Sequence, residues 1–316
     1  MALLARKKIL LAKIEATYGT DAAPAGADAV LVSELNLSPL EAQTVQRNNI
    51  RPYLGRDLEI HVGEHVKVDF QVEVAGSGTS GASITAPAWG KLMRGCGFAE
   101  TVDTATAGSE HVRYEPVSSG FESLTLYFNL DGQLHKITGA RGTVKVNLGV
   151  NQIPHFQFEF TGLYNGPTAT PAVTPNFSAF QTPEPAGPGK TSGFSFQGYA
   201  GIPISVEIDL ANDVVYHQTL TTQEVLITDR KTSGQLTIEA PSVATKDFWA
   251  DTLANTAGAF AIQQGQTAGN IVLFEAPRVQ ALQPKYGEAD GIATLEMGLA
   301  FVPTDAGDDE LTIRLI

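Results

Sequence analysis

The sequence predicts a mainly β chain, and three features predict it: apolar residues recur at every second position in nine segments, helical spacing is confined to three short ones, and Gly or Pro punctuates the stretches between. The clearest segment runs from Val66 to Val74 (VKVDFQVEV). Val66, Val68, Phe70, Val72 and Val74 fall on one face, and Lys67, Asp69, Gln71 and Glu73 on the other. That alternation describes a strand with one covered and one wet face. LTLYFNL from Leu124, TVKVNL from Thr143, FQFEF from Phe156, VEIDL from Val206, EVLIT from Glu224, QLTIE from Gln235, NIVLF from Asn270 and ATLEM from Ala293 follow the same rule. Asn129, Leu130, Asp131 and Gly132 fit a hairpin turn, because Asp-Gly tolerates the positive φ such turns need. Helical spacing is read in the N-terminal LLARKKILLAKIEA, in AWGKLMRGC after Pro87, and in TKDFWADTLA, where Thr245 or Lys246 starts a short amphipathic stretch. Trp89 and Trp249 read as anchors packing the last two against a sheet.

Length and charge narrow the classes. A chain of 316 residues with 43% hydrophobic content is long enough for two cores and too apolar for wholesale disorder. One cysteine, Cys96, forms no intrachain disulfide, and it reads as a small buried side chain. The N-terminal segment places charges inside its apolar run, so no signal peptide is expected, and no stretch is long and apolar enough for a membrane span. The 34 Asp and Glu against 21 Lys and Arg leave a net charge of −13, which argues against a surface that grips nucleic acid by neutralising phosphates.

Between residues 165 and 200 the alternation fails, and Pro167, Pro171, Pro175, Pro183, Pro185 and Pro188 mix with Thr, Ser and Gly, as in a linker or long surface excursion. The flanking parts, 1–164 and 201–316, resemble each other. The stretch from Gly132 to Tyr164 aligns without a gap on Gly269 to Phe301, so that Arg141 meets Arg278 and Glu159 meets Glu296. Upstream, FQVE at Phe70 matches LTIE at Leu236, each followed by a short Trp-bearing helix. Shared alternation alone would not reproduce that order, so the expectation is one β module written twice, with an insertion at about 48–65 in the first copy.

Local motifs invite enzyme readings and fail on context. His61, Glu64 and His65 fit H-x-x-E-H, a zinc-peptidase pattern that needs a helix, but a period-two strand begins at once. Gly76, Gly78 and Gly81 fit G-x-G-x-x-G, yet no helix opens at the third glycine. Gly189, Lys190 and Thr191 imitate the end of a P-loop, but Glu184 occupies the place of its first glycine. No cofactor or metal and no catalytic residue is expected.

The segment LLAKIEATYGTDAAPAGADAVLVSELNLSPLEAQTV near the N-terminus, RPYLG at Arg51, APAWGKLMRGCGF at Ala86, HKITGARGTV at His135, EVLITDRK at Glu224 and DDELTI at Asp308 together resemble the major tail tube protein of long-tailed, siphovirus-type bacteriophages. The resemblance covers nearly the whole chain. It implies a β-sandwich with a flanking helix in each module, and a ring in which one sheet per module joins a β-barrel channel. It also implies a long loop that reaches a neighbouring subunit or the next ring; the 48–65 insertion occupies its position, with Arg51, Tyr53, Arg56 and Asp57 as inter-subunit candidates. Single-module relatives form hexameric rings, so two modules per chain imply a trimeric, pseudo-sixfold one. Partners implied are further copies of the chain, tape measure and tail terminator or distal tail proteins, and double-stranded DNA passing without specific binding. The place implied is the virion tail, after assembly in the host cytoplasm.

On this resemblance the wet strand faces become channel-lining candidates: Asp69, Gln71, Glu73, Gln157 and Glu159 in the first copy, and Gln235, Glu239, Thr294 and Glu296 in the second. Carboxylates there would repel phosphates, and Lys67 and Lys145 lie on comparable faces. The alternative is that these faces meet bulk solvent in an isolated sandwich. A distal-tail or tail-tip ring adaptor is the second functional expectation, and a zinc peptidase a distant third.

Overall fold

The computed structural model describes residues 2–316, and it is mainly β. The first part of the chain forms β1 (Lys8–Ile14), β2 (Ala29–Val30), β3 (Ser33–Val45), β4 (Ile60–Glu73), α1 (Gly90–Gly95), β5 (Phe98–Asp103), β6 (His111–Pro116), β7 (Leu124–Leu130), β8 (Gln133–Gly149) and β9 (His155–Tyr164). The proline-rich stretch holds β10 (Thr168–Ala169) and β11 (Thr191–Phe196). After it come β12 (Pro203–Asp209), β13 (Asn212–Gln218), β14 (Gln223–Arg230), β15 (Ser233–Glu239), α2 (Phe248–Leu253), β16 (Ala257–Gln264), β17 (Val272–Ala289), β18 (Ile292–Phe301) and β19 (Thr312–Leu315).

Eight of these strands form one continuous antiparallel row in the order β3, β4, β9, β8, β12, β15, β18, β17. Four come from each part of the chain. The seam between the parts is the pairing of β12 with β8, where Glu207 faces Asn147 and Asp209 faces Lys145. β3 and the C-terminal portion of β17 are the two ends of the row. The apolar positions of the alternating strands all turn to one side of it: Val68 and Phe70, Phe158 and Phe160, Val146, Ile208, Leu236 and Leu295 are buried.

Behind that face lies a second layer. β8 is bulged between Thr138 and Arg141, and upstream of the bulge it leaves the row to pair with β7, which pairs with β1. β17 is bulged between Leu282 and Lys285, and its upstream portion pairs with β16 and β19. A bulge bends a strand and raises its twist, which lets one long strand serve both layers. β19 also pairs with β6, so the outer layer joins the two parts as well. Phe156 of β9 meets Phe274 of β17 at 6.1 Å between ring centroids, within one hydrophobic core.

Several expectations change on contact with the structure. The N-terminal stretch read as helical is the strand β1. It lies between β2 and β7 with Leu10, Leu11 and Ala12 all buried, so both of its faces are covered and period two is erased. Helix α2 begins at Phe248, two or three residues later than expected, because the Asp247 carboxylate accepts the Ala250 N–H at 2.9 Å as its N-cap. Trp89 is buried and donates its indole N–H to the Ala75 carbonyl at 2.7 Å. The fully buried aromatic of α2 is Phe248, stacked on Phe196; Trp249 is only partly buried and lies on Tyr286.

The 165–200 stretch is tied to its surroundings. β11 pairs with β16, and Ala186 exchanges backbone hydrogen bonds with Asn151 and Gln152. The two long hairpins also differ in register. Arg141 stands opposite Thr161, whereas Lys285 stands opposite Glu296, because the first hairpin turns through residues 150–154 and the second through Asp290 and Gly291 alone. Both turn residues of the second have positive φ. Phe70 faces Phe158 and Ile238 faces Leu295, so the pairing shifts the match of FQVE with LTIE by two residues and keeps every side chain on its face.

Candidate functional site

The side of the eight-stranded row away from the core is a broad polar face. Cross-strand partners share a face, so the pairing register fixes its layout. Asn36, Asp69, Glu159 and Thr143 stand in one rank across β3, β4, β9 and β8. Gln71, Gln157, Lys145, Asp209 and Ser233 form the next. Glu73, His155, Asn147, Glu207 and Gln235 follow. Beyond the seam, Thr237 faces Glu296, which faces Lys285, and Glu239 faces Thr294. All nine residues singled out from alternation therefore stand on one face. Thr294 differs from expectation in being buried, at 2% exposure, so it adds almost no accessible surface there.

Glu207 and Asp209 of β12 belong to the same face and were not singled out. Their signal was present in VEIDL, whose alternation puts both carboxylates opposite the buried Val206, Ile208 and Leu210. Lys145 lies 3.2 Å from each of them. Burial is the largest single influence on Lys145 and would lower its pKa, but the two carboxylates together outweigh it and the ammonium is held above its usual range. Lys285 pairs with Glu296 at 2.8 Å, and the Asn36 amide donates to Asp69 at 2.9 Å. With Asp69, Glu73, Glu159, Glu207, Asp209, Glu239 and Glu296 set against Lys67, Lys145 and Lys285, the face is net acidic.

Two excursions leave the row. Residues 46–59 join β3 to β4, and the β13–β14 hairpin joins β12 to β15, so the second part has an excursion where only the first was expected to. In the first, Arg51 is ion-paired with Asp57 and Arg56 with Glu59, and Arg51 also lies over the Tyr53 ring at 5.8 Å. In the second, the Asn212 amide donates to the Cys96 carbonyl at 2.7 Å and to that of Gly142 at 2.9 Å. At the end of β14, Arg230 is ion-paired with Glu310 and with Asp308, and donates to the Val117 carbonyl at 3.0 Å. Two motifs far apart in sequence, EVLITDRK and DDELTI, thus meet in one charged cluster that also touches the first part of the chain.

The enzyme lookalikes have structural occupations. His61, Glu64 and His65 lie on β4, not on a helix, and the His65 ring stacks on Tyr216 at 4.9 Å. Gly76 and Gly78 lie against the backbone of Gly269: Gly78 N–H donates to the Gly269 carbonyl at 2.9 Å, and a Cβ on Gly76 would stand 2.1 Å from that oxygen. Lys190 pairs with Glu184 at 2.8 Å. Cys96 is fully buried, and burial pushes its thiol well above the usual range, away from the reactive thiolate. A cleft of about 590 Å³ near the seam is lined by Leu148, Val150, Pro188, Phe194, Ile202 and other residues, none of them titratable. Among the described residues no group of three or more His, Cys, Asp or Glu could hold a metal ion.

A large sheet with one apolar and one acidic face, two free edges and the lookalike motifs absorbed into packing defines a structural subunit. The family model for the phage tail tube protein matches residues 5–309, and the chain belongs to that family. The family is structural, not enzymatic: its members assemble with copies of themselves into a tube and are components of the virion tail. No curated protein matches the chain. Among the described residues, no helix is long and apolar enough to cross a membrane.

Proposed function

We propose that the chain forms trimeric rings in which the eight-stranded row continues from copy to copy as a closed β-barrel, that these rings stack into the tail tube, and that genomic DNA passes along the acidic face during ejection. What carries this is the seam. By order in the row, β12 of the second part corresponds to β3 of the first, and β8 corresponds to β17. The β12–β8 pairing inside one chain is therefore the counterpart of a β3–β17 pairing between chains, with β3 and the C-terminal portion of β17 the two ends of the row. The 1–164 and 201–316 parts then act as two tube modules, related by duplication. An open pair of edges invites further pairing, and ring closure satisfies both.

The dimensions are compatible with the cargo. Three chains supply about 24 strands, which at about 4.8 Å spacing and about 40° tilt give a circumference of roughly 150 Å and a backbone diameter of roughly 48 Å. A bore near 40 Å remains once side chains are subtracted, wider than a DNA duplex. On each chain's face the carboxylates outnumber the lysines, so a ring lined by it is net acidic, which favours passage without adhesion. The ends of such a tube are where tape measure, terminator and distal tail proteins would engage it.

Negative-stain microscopy of the purified chain tests the reading. Rings that stack into tubes of uniform bore are expected. A chain that stays monomeric at high concentration under every condition overturns it, and discrete rings that never elongate would indicate a tail-tip adaptor instead.

A further inference from the structure

The seam inside the chain dictates the register of a joint between chains, because the two halves of the row match strand for strand. Glu159 of β9 and Glu296 of β18 occupy the same place, with Asp69 and Thr237 opposite them on one side and Thr143 and Lys285 on the other. Following the ladders carries the match to both ends of the row. Gln235 takes the place of Lys67 and Ser233 that of His65, so their partners Glu207 and Asp209 of β12 answer to Ser38 and Glu41 of β3. Thr294 takes the place of Gln157 and Ile292 that of His155, so Lys145 and Asn147 of β8 answer to Gly287 and Ala289 of β17.

At the seam Glu207 faces Asn147 and Asp209 faces Lys145. The Leu210 N–H donates to the Val144 carbonyl and the Val150 N–H to that of Ile204, so these two facing pairs are the non-hydrogen-bonded ones, in which side chains approach most closely. Lys145 reaches Asp209 directly and Glu207 on the diagonal, 3.2 Å from each. The same register applied to β3 and β17 sets Ser38 opposite Ala289 and Glu41 opposite Gly287. Lys285 then stands on the same diagonal from Glu41 as Lys145 does from Glu207, and diagonal neighbours are within reach of long side chains. Gly287 puts no side chain in the way, and a Cβ there would stand 2.8 Å from a Glu296 carboxylate oxygen.

The side chains at the two ends of the row suit such a joint. Glu41 lies 3.8 Å from the His65 ring and 4.0 Å from Lys67, beyond hydrogen-bond reach of either. Lys285 is paired with Glu296 while 71% of its side chain is exposed. On the core side, Val144 and Ile208 are buried at the seam, whereas Tyr286 at the place of Val144 is 64% exposed, and Leu40, in the β3 bulge at the place of Ile208, is 49% exposed. Apolar groups left open where the seam buries theirs mark a surface that a neighbour covers. Glu288 holds the place of Val146, so the apolar part of the joint is shorter than that of the seam.

We propose that β3 of one copy pairs with the C-terminal portion of β17 of the next in the register of the seam, and that Lys285 is shared between Glu296 of its own chain and Glu41 of the neighbour. The inference rests on the ring proposed above and adds to it the register and the charges that select it. A slip by two residues would move Glu41 away from Lys285 and lose the pair, so the lysine discriminates the correct alignment from its nearest competitors.

Charge reversal in the full chain tests the pair. Glu41→Lys and Lys285→Glu are each expected to raise the concentration needed for ring formation about tenfold, and the double variant, which restores an opposite pair at every joint, to return it to within about threefold of wild type. The melting temperature of the unassembled chain separates a structural role from this one: a change confined to the single chain would lower it and would not be repaired by reversing the second charge. Register is read independently by oxidising assembled rings of a Ser38→Cys, Ala289→Cys chain, expected to give cross-links between chains, against a Gln43→Cys, Ala289→Cys chain, expected to give none; Cys96 is buried and takes no part. A double charge variant no better than the singles, or rings that form without the 38–289 cross-link, would each overturn the proposed joint and leave the ring standing. A wild-type chain that forms no ring would remove the ring itself.

Discussion

Arg230 is the residue at which the account of the seam is most sharply exposed to experiment. Its side chain is 11% accessible and that of its partner Glu310 is 7% accessible, so the pair is screened far less than a surface one. The guanidinium also holds Asp308 at 3.1 Å and the Val117 carbonyl at 3.0 Å, joining β14, the C-terminal segment and the loop after β6. Arg230→Met keeps most of the apolar stem but leaves the Glu310 carboxylate buried without its partner, a loss of about 3–5 kcal/mol. At about 2 °C per kcal/mol for a chain of this size, the melting temperature falls by roughly 6–10 °C. Arg230→Met with Glu310→Leu removes the stranded charge, and because a buried pair replaced by apolar groups is close to neutral, most of the loss returns. Thermal unfolding of wild type, both single variants and the double variant measures the coupling directly. A single Arg230→Met variant that melts within about 2 °C of wild type, or a double variant no better than the single, would refute the reasoning.

Three further outcomes are expected. Replacing Asp69, Glu73 and Glu159 together by Lys should leave the fold intact but make assembled tubes retain short DNA duplexes at low salt and release them as salt rises, measured by co-sedimentation; retention no greater than wild type would show that this face does not meet DNA. Glu15 accepts from the Ser123 and Thr125 hydroxyls and from the Gly19 and Gly139 N–H groups, so Glu15→Ala strands four buried or part-buried donors and should cost about 2–4 kcal/mol in denaturant unfolding. Asp21 carries a pH dependence: partial burial alone would raise its carboxyl, but hydrogen bonds from Tyr127, Lys136 and the Ala23 N–H outweigh it and hold the pKa below the usual range. A depressed folded pKa means that its contribution is present above the unfolded carboxylate value and is lost as pH falls through the folded one, so Asp21→Asn should lose less stability between pH 5 and pH 2 than wild type does.

Strands with one wet face were legible because each leaves a mark in its own residues. Val66 to Val74 and Val206 to Leu210 could be assigned face by face, and Glu207 and Asp209 were within reach of the same rule. β1 was not legible, because Leu10, Leu11 and Ala12 are covered on both sides and a doubly buried strand carries no alternation. Of the adjacent aromatics Phe248 and Trp249, the phase of a helix of six residues decides which is buried, and that phase follows from the Asp247 cap rather than from residue size. The order of strands was not legible either. β12 pairs with β8 and β19 with β6 across long stretches of chain, and nothing local to either strand names its partner. Arg51, Arg56 and Asp57 in the 46–59 excursion stand out in the sequence by their charge, but only the structure shows that Arg51 is paired with Asp57 and Arg56 with Glu59.

The central claim is that one chain supplies two adjoining sectors of a six-sector barrel. The mass of a single isolated ring tests it most directly. Native mass spectrometry of rings released from short tubes is expected to give three chains, roughly 100 kDa from a chain of 33.5 kDa. A ring of six chains would contradict the account, because it would put a barrel of about 48 strands where the seam allows about 24.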